Sequence, residues 1–315
     1  MMSSAPMPPA KKLLVTGASG FLGWHICRAA SATWQVVGTS FSNSTSIAGV
    51  ETCSVDLRDG DSVVGLLDAL RPDAVVHAGA LSQPNACEEE PERSEAINVG
   101  GTRILAEWCG DHGIPMVFTS TDLVFDGEHA PYAESDDAFP ISIYGHHKLA
   151  AEQAVLEHVP NGAVCRLPLM YGDRDGAPAS FIGPWVEKLK RGEPLSLFED
   201  EIRTPASAAA VAEGLLMVLS EGTRGVLHLG GRERISRYDF GLKLAAAFGL
   251  SVESIRRTKL ADITMSAPRA ADVSLDSGRA FSLGYDPGSI DTQLLTIRDS
   301  MLSSLAPPDN GEILA

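Results

Sequence analysis

Three side chains in this sequence have the types and spacing of a proton-transfer site. Tyr144 and Lys148, in "YGHHK", stand four residues apart, so on a helix they share one face. Thr121 closes the apolar run "PMVFTST", a strand next in order before the tyrosine helix. An ammonium about 4 Å from a phenol, at an effective dielectric near 20, contributes about 4 kcal/mol. At roughly 1.4 kcal/mol per unit, that charge would carry a tyrosine pKa from about 10 towards about 7. Tyr144 would then donate a proton near neutral pH, and Lys148 could also hold a ribose through its hydroxyls. The Thr121 hydroxyl could hydrogen-bond a carbonyl oxygen. A Y-x-x-x-K spacing also arises by chance on surface helices, so the surrounding elements decide the reading.

The first such element is a glycine turn. "LLVTGASGFLG" places Gly17, Gly20 and Gly23 three residues apart, after a strand and at the start of a helix. Gly17 suits a tight turn, Gly20 lets backbone approach a pyrophosphate, and Gly23 lets the helix pack close to the sheet. Ser19, Phe21 and Leu22 complete the cradle. The pyrophosphate would sit on the helix N-terminus, where free N–H groups and the dipole favour anions. The second strand ends in "GTSFSN", with Thr39 and Ser40 at the ribose position. Neither an acid for a ribose hydroxyl pair nor an arginine stands there, which favours NADP(H) and leaves NAD(H) open. Asp56 and Leu57, after the third strand, are placed to touch adenine, although Asp56 could equally be an ordinary strand-ending acid. "HAGA", His77 to Ala80 (with Ala78 and Gly79 between), ends the fourth strand and leaves room for cofactor contacts. Thr119 and Pro168, near the ends of the fifth and sixth strands, complete the cofactor set.

The rest of the chain supplies what must position these groups. Apolar runs of four to six residues alternate with helical patterns: "KLLVTG", "QVVGTS", "ETCSVDL", "DAVVHAGA", "IPMVFTSTD" and "GAVCRLP". That rhythm predicts an α/β fold, a Rossmann-type doubly wound parallel sheet covered on both faces, with right-handed crossovers. "GDSVVGLLDALRP" is a helix ended by Pro72, and "EPERSEAINVGGTRILAEWCGDHG" reads as one long helix. "CEEEPER" is its solvated start, and Trp24 and Trp34 pack around the first helix. Beyond Pro168 the segments shorten, including a helix capped by Ser236. The expected organisation is a tail over 1–10 and a nucleotide-binding domain over 11–170, to which 203–230 returns. A smaller interwoven substrate lobe covers 171–202 and 231–300, and a tail covers 301–315.

Composition excludes several classes. The 315 residues carry a formal charge of −16, which repels phosphate backbones and anionic membranes, so neither nucleic acid nor a lipid surface is an expected partner. The five cysteines form no C-x-x-C pair and read as reduced thiols of a cytoplasmic protein. The N-terminus lacks a signal-peptide core, and "AAAVAEGLLMVL" is an amphipathic helix too short to span a bilayer. His146 and His147 lack ligand-spaced partners, so no metal site is expected. The partner is a small molecule, and a homodimer is compatible with the sequence.

Six segments together resemble the extended short-chain dehydrogenase/reductases: "VTGASGFLG", "RPDAVVHAGA", "NVGGTRILAE", "TSTDLVFDG", "YGHHK" and "RLPLMYG". Within that family "STDLVFDG" and "PRAADVSLD" are most similar to dTDP-4-dehydrorhamnose reductases and the related regulatory beta subunit of methionine adenosyltransferase. The resemblance covers Lys12 to about Pro287. It implies a Rossmann-type domain with a smaller C-terminal lobe, and Thr121, Tyr144 and Lys148 as the catalytic set. It also implies that Arg203 and Arg269, expected in loops, face a substrate diphosphate, and that Ser82 touches substrate; surface ion pairs are the alternative for the arginines. Two positions depart from the reductases: Leu123 stands where tyrosine is usual, and "RLPLMYG" lacks their tryptophan. The expected function is NAD(P)H-dependent reduction of a carbonyl, that of a 4-keto nucleotide sugar. The alternatives are a nucleotide-sugar epimerase or dehydratase, and a non-catalytic NADP-binding regulatory subunit.

Overall fold

A computed structural model describes residues 11–43, 45–173 and 180–303, so the expected tail over 1–10 and most of that over 301–315 lie outside it. The first half runs β1 (Lys12–Thr16), α1 (Phe21–Ala30), β2 (Gln35–Ser40), β3 (Glu51–Ser54), α2 (Gly60–Leu70) and β4 (Ala74–His77). It continues with α3 (Pro84–Glu89), α4 (Pro91–Glu95), α5 (Gly101–His112), β5 (Met116–Thr121), α6 (Ile143–His158) and β6 (Ala163–Leu167). Shorter pieces follow: β7 (Met170–Tyr171), α7 (Ile182–Lys190), β8 (Leu195–Phe198), β9 (Ile202–Arg203), β10 (Ala206–Ser207) and α8 (Ala208–Ser220). The last are β11 (Gly225–His228), β12 (Ile235–Ser236), α9 (Arg237–Phe248), β13 (Ile255–Thr258), α10 (Gly278–Ser282) and α11 (Ile290–Ser303).

Seven strands form one sheet in the order β11-β6-β5-β4-β1-β2-β3, and every pairing in it is parallel. The order reverses between β1 and β4, which opens a crevice at their carboxyl ends. The glycine turn after β1 and the "HAGA" segment after β4 flank it. The central strands are buried on both faces, whereas the edge strand β3 is largely exposed. Leu13, Val15, Val76, Val117 and Cys165 join α1 and α8 on one side. Leu14, Val75, Phe118 and Val164 join α2, α5 and α6 on the other. β11 brings the chain back to the sheet after the first short pieces, and α8 lies along α1. A further cluster around Tyr171, Ile182, Phe240 and Leu294 lies outside the sheet.

Local chemistry fixes the helix ends. Asp59 caps α2, Ser142 caps α6 and Ser236 caps α9, each accepting a backbone N–H three residues on. α2 ends at Arg71, which adopts φ 49° just before Pro72. Two expectations need correction. The long helix over 91–112 is interrupted by a π turn at Ala96–Gly100, where the backbone gains a residue and turns Asn98 inward. "CEEEPER" is not a single helix start: Cys87 to Glu89 end α3, and Pro91, having no N–H to donate, begins α4. Cys87 is accordingly buried rather than solvated. No helix among the described residues is long and apolar enough to cross a membrane.

Candidate active site

The glycine turn is held by contacts that leave no room for side chains. Gly17 has φ +73°, and a methyl there would lie 2.7 Å from the Gly79 Cα at the end of β4. At Gly23 a methyl would lie 2.1 Å from the Gly17 carbonyl oxygen, so this glycine closes the turn upon itself rather than upon the sheet as expected. The Ala18 N–H donates to the Thr39 carbonyl, 2.8 Å, and ties the turn to the end of β2. The first helical bond of α1 runs from Trp24 N–H to the Gly20 carbonyl. The N–H groups of Phe21, Leu22 and Gly23 therefore have no partner within the helix. This cradle fits a dinucleotide pyrophosphate: small residues allow close approach, and three N–H groups and a helix dipole meet the anion.

His77 is a correction to the expected cofactor set, because its side chain is sealed in the sheet. Thr16 Oγ1 accepts the N–H groups of Ala78 and Gly79 and donates to His77 Nδ1, 2.5 Å. Thr102 donates to the Asn98 carbonyl, so His77 Nε2–H donates to Thr102 Oγ1, 2.9 Å. Burial, and next the nearby Lys148 charge, push the imidazole down to about 3. His77 is thus a neutral strut that shapes "HAGA". Asn98, delivered by the π turn, grips Leu81 from both sides, accepting its N–H at 2.9 Å and donating to its carbonyl at 3.0 Å. The Thr119 hydroxyl, expected near the cofactor, donates to the His77 carbonyl at 3.1 Å.

Thr121, Tyr144 and Lys148 come together. Tyr144 is only 8% exposed and Lys148 only 2%. Thr121 ends β5; its hydroxyl donates to Asp122 at 3.3 Å and accepts the Leu123 N–H at 3.2 Å, and its nearness to the Tyr144 phenol favours the phenolate. Gly145 explains why the two elements meet: a methyl there would lie 2.3 Å from the Leu123 carbonyl oxygen. The first turn of α6 thus sits directly on the turn that follows Thr121. The Ile143 N–H donates to Glu88 at 2.8 Å, and His147 shares a 2.9 Å hydrogen bond with Ser94. α3 and α4 therefore brace the same end of α6.

The electrostatics correct the sequence argument. The Lys148 ammonium lies over the Phe118 ring, 4.0 Å from its centroid. Burial raises the Tyr144 pKa, with the Cys87 and Asp122 sites adding to the rise. Burial lowers Lys148 to about 7, against upward pulls from Glu152 and Cys87. Counting charges in a sequence omits the water removed around them, and in this site desolvation exceeds the mutual effect.

Behind these three side chains is a buried ionic strut that the spacing did not reveal. Arg166 on β6 grips Glu152 of α6 with Nε and Nη2, at 3.1 and 2.9 Å. Ser120 donates to the same carboxylate. Glu152 follows Lys148 by four residues on the tyrosine face of α6, and that period was the available signal. Asp122, next to Thr121, was also missed; burial pushes its carboxyl up to about 6, against the pull of Arg203.

The expected substrate residues divide. Arg203 lies in β9 rather than in a loop, and it is almost fully buried. Its guanidinium donates to Glu201 at 3.1 Å and to the carbonyls of Ile202 and Ala270, with Asp122 at 3.7 Å, so it is a structural cation rather than an open fork. Arg269 also reaches Glu201, at 3.2 Å, but keeps 36% of its side chain exposed. Arg237, unforeseen, approaches Glu201 at 3.9 Å while stacked over Phe181 and Trp185. Three arginines thus converge where two carboxylates, Glu201 and Asp122, stand. Ser82 is exposed after "HAGA", and Leu123 is half-buried in the turn that follows Thr121. Among the described residues no group of three or more His, Cys, Asp or Glu side chains is placed to hold a metal ion.

The chain matches the model of the RmlD substrate binding domain over residues 11–288. It belongs to that family, and with it to the extended short-chain dehydrogenase/reductases. The class of chemistry follows: an NAD(P)-dependent oxidoreductase that binds a nicotinamide dinucleotide. The chain is 34% identical to the probable low-salt glycan biosynthesis reductase of Haloferax volcanii over 266 residues, 83% of this chain and 88% of that one. It is 28% identical to methionine adenosyltransferase 2 subunit beta of Rattus norvegicus over 283 residues, 88% and 83% of the two. Among solved structures it resembles a hypothetical dTDP-4-dehydrorhamnose reductase from Sulfolobus tokodaii, with a TM-score of 0.79, 30% identity, and 89% and 98% of the chains covered.

Proposed function

We propose that this protein reduces the carbonyl of a 4-keto nucleotide sugar, with NADP(H) as its preferred cofactor. The observation that carries this reading is the buried Thr121–Tyr144 pair with Lys148 one turn further along α6. Gly17, Ser19, Gly20, Phe21, Leu22 and Gly23 would hold the pyrophosphate. Thr39, Ser40, Asp56 and Leu57 would hold the adenosine half, and Ala78, Gly79, Ala80, Thr119 and Pro168 the remainder. Bound there, the reduced nicotinamide supplies a hydride to the carbonyl carbon. Tyr144 donates its proton to the carbonyl oxygen, and its raised pKa keeps that proton in place until it is needed. Thr121 donates a hydrogen bond that orients the oxygen. Lys148 in its charged form stabilises the phenolate left behind. Arg269, half in solvent above the Glu201 cluster, meets the substrate diphosphate.

The test is a panel of keto-sugar nucleotides mixed with NADPH, followed by loss of absorbance of the reduced cofactor. One NADPH consumed per sugar supports reduction. Sugar conversion without net consumption identifies an epimerase or dehydratase instead. A second reading, a regulatory subunit without turnover, is favoured by Leu123 in place of the tyrosine usual in the reductases and by the 28% relatives. Binding of NADPH with no turnover on any sugar, and co-purification of an enzyme, would establish it.

A further inference from the structure

The adenosine end of the crevice holds a cation that the sequence does not place there. β2 ends at Ser40, beside Ser54 of β3, and the next residue, Phe41, is 54% exposed. No carboxylate stands from Thr39 to Asn43. The Arg58 guanidinium, from the turn after β3, lies over the Phe41 ring at 5.4 Å. Asp56 fixes it there along one edge, accepting from Nε at 3.0 Å and from Nη2 at 2.6 Å. The Asp56 carboxylate is held below its usual range first by this hydrogen bond, and Arg93 contributes as a second nearby cation. Arg93 is itself paired with Glu90 at 3.0 Å, so Arg58 is the cation that Asp56 holds at this rim of a protein whose net charge is −16. Arginine has five donors, and Asp56 engages Nε and Nη2, so among the described residues Nη1 remains available to an anion.

The position gives that anion an identity. The Ala18–Thr39 hydrogen bond joins the pyrophosphate cradle to the end of β2. An adenosine ribose spanning from that cradle would be met by the end of β2, at Ser40 and Phe41. We propose that Arg58, presented from the β3–α2 turn and seated on Phe41, receives the 2′-phosphate of NADP(H) and sets the cofactor preference. This rests on the dinucleotide reading of the crevice and adds the group that discriminates between the two cofactors. Arg58 is exposed and, among the described residues, tied to Asp56 and Phe41, so its removal leaves the core intact.

The experiment measures dissociation constants of the full chain for NADPH, NADH, adenosine 2′,5′-bisphosphate and adenosine 5′-monophosphate. The proteins are wild type, Arg58→Ala, Arg58→Glu and, as a control for general charge, Arg256→Ala at an exposed site on β13. Wild type is expected to bind the two 2′-phosphorylated ligands more tightly than their counterparts. Arg58→Ala should weaken those two by about tenfold or more and Arg58→Glu further, with NADH and the monophosphate unchanged. Arg256→Ala should behave as wild type. Equal discrimination in wild type and Arg58→Ala, a wild-type preference for NADH, or equal weakening of all four ligands overturns the assignment. If wild type binds no dinucleotide at all, the reading of the crevice falls first and the role of Arg58 with it.

Discussion

The cofactor crevice and the arginine cluster around Glu201 are built on opposite principles. At the crevice the backbone makes the site: Gly17 and Gly23 close a turn onto Gly79 and onto itself, and the first N–H groups of α1 have no partner within the helix. At Glu201 the side chains make it: Arg203, Arg237 and Arg269 arrive from residues far apart in sequence and meet one carboxylate. A backbone site tolerates no added atom, whereas a side-chain site can lose one member and redistribute its charges. The two should therefore fail differently under substitution.

Among substitutions outside the Thr121–Tyr144–Lys148 set, the largest effects should come from glycines. In Gly23→Ala the new methyl meets a carbonyl at 2.1 Å, and the turn must open. Dinucleotide binding should fall about a hundredfold or more, because a shift of ångströms removes the N–H groups from the phosphates. Gly145→Ala strikes the Leu123 carbonyl at 2.3 Å and should part Tyr144 from Thr121. There turnover should fall by about a hundredfold while cofactor affinity stays near wild type. Titration calorimetry and steady-state kinetics on both variants check this; if Gly145→Ala lost binding and kept turnover per bound cofactor, the division between the two elements would be wrong.

Glu152→Gln probes the strut behind the site. Leaving Arg166 buried without its partner should cost about 3–5 kcal/mol of stability, read as a lower thermal midpoint. It also has a pH signature. Lys148 is charged below its pKa of about 7, so the reductive rate should be level at low pH and fall as pH rises through that value. Glu152 pulls that pKa upwards, so the falling limb should move to lower pH in the variant. An unmoved limb would mean that Glu152 acts on the fold alone. The smallest effect is expected at the arginines. Arg269→Ala should raise KM for a nucleotide sugar by roughly tenfold, with kcat nearly constant, since a partly exposed charge contributes to ground state and transition state alike.

The same contrast explains what the sequence disclosed. The glycine turn, the alternation of apolar strand runs with helices and the Tyr144–Lys148 face depend on short-range spacing, and spacing is visible in one dimension. The cap at Ser236 was legible for the same reason. The burial that raises Tyr144 and lowers Lys148 was not, because it depends on how much water the folded lobe removes. Arg203 looked like a loop residue because β9 is two residues long and carries no periodic signal. His77 looked like a cofactor contact because its seals, Thr16 and Thr102, come from two other elements. Arg58 escaped notice because it belongs to a different strand end from the one it serves.

Wild type and Tyr144→Phe, assayed side by side for NADPH oxidation by a keto-sugar nucleotide and for NADPH affinity, test the central claim most directly. Loss of the phenolic proton donor should lower turnover by about 10²–10⁴-fold with the NADPH dissociation constant within about twofold of wild type. Turnover that survives the substitution undiminished would show that the proton comes from elsewhere and would contradict the assignment of this site.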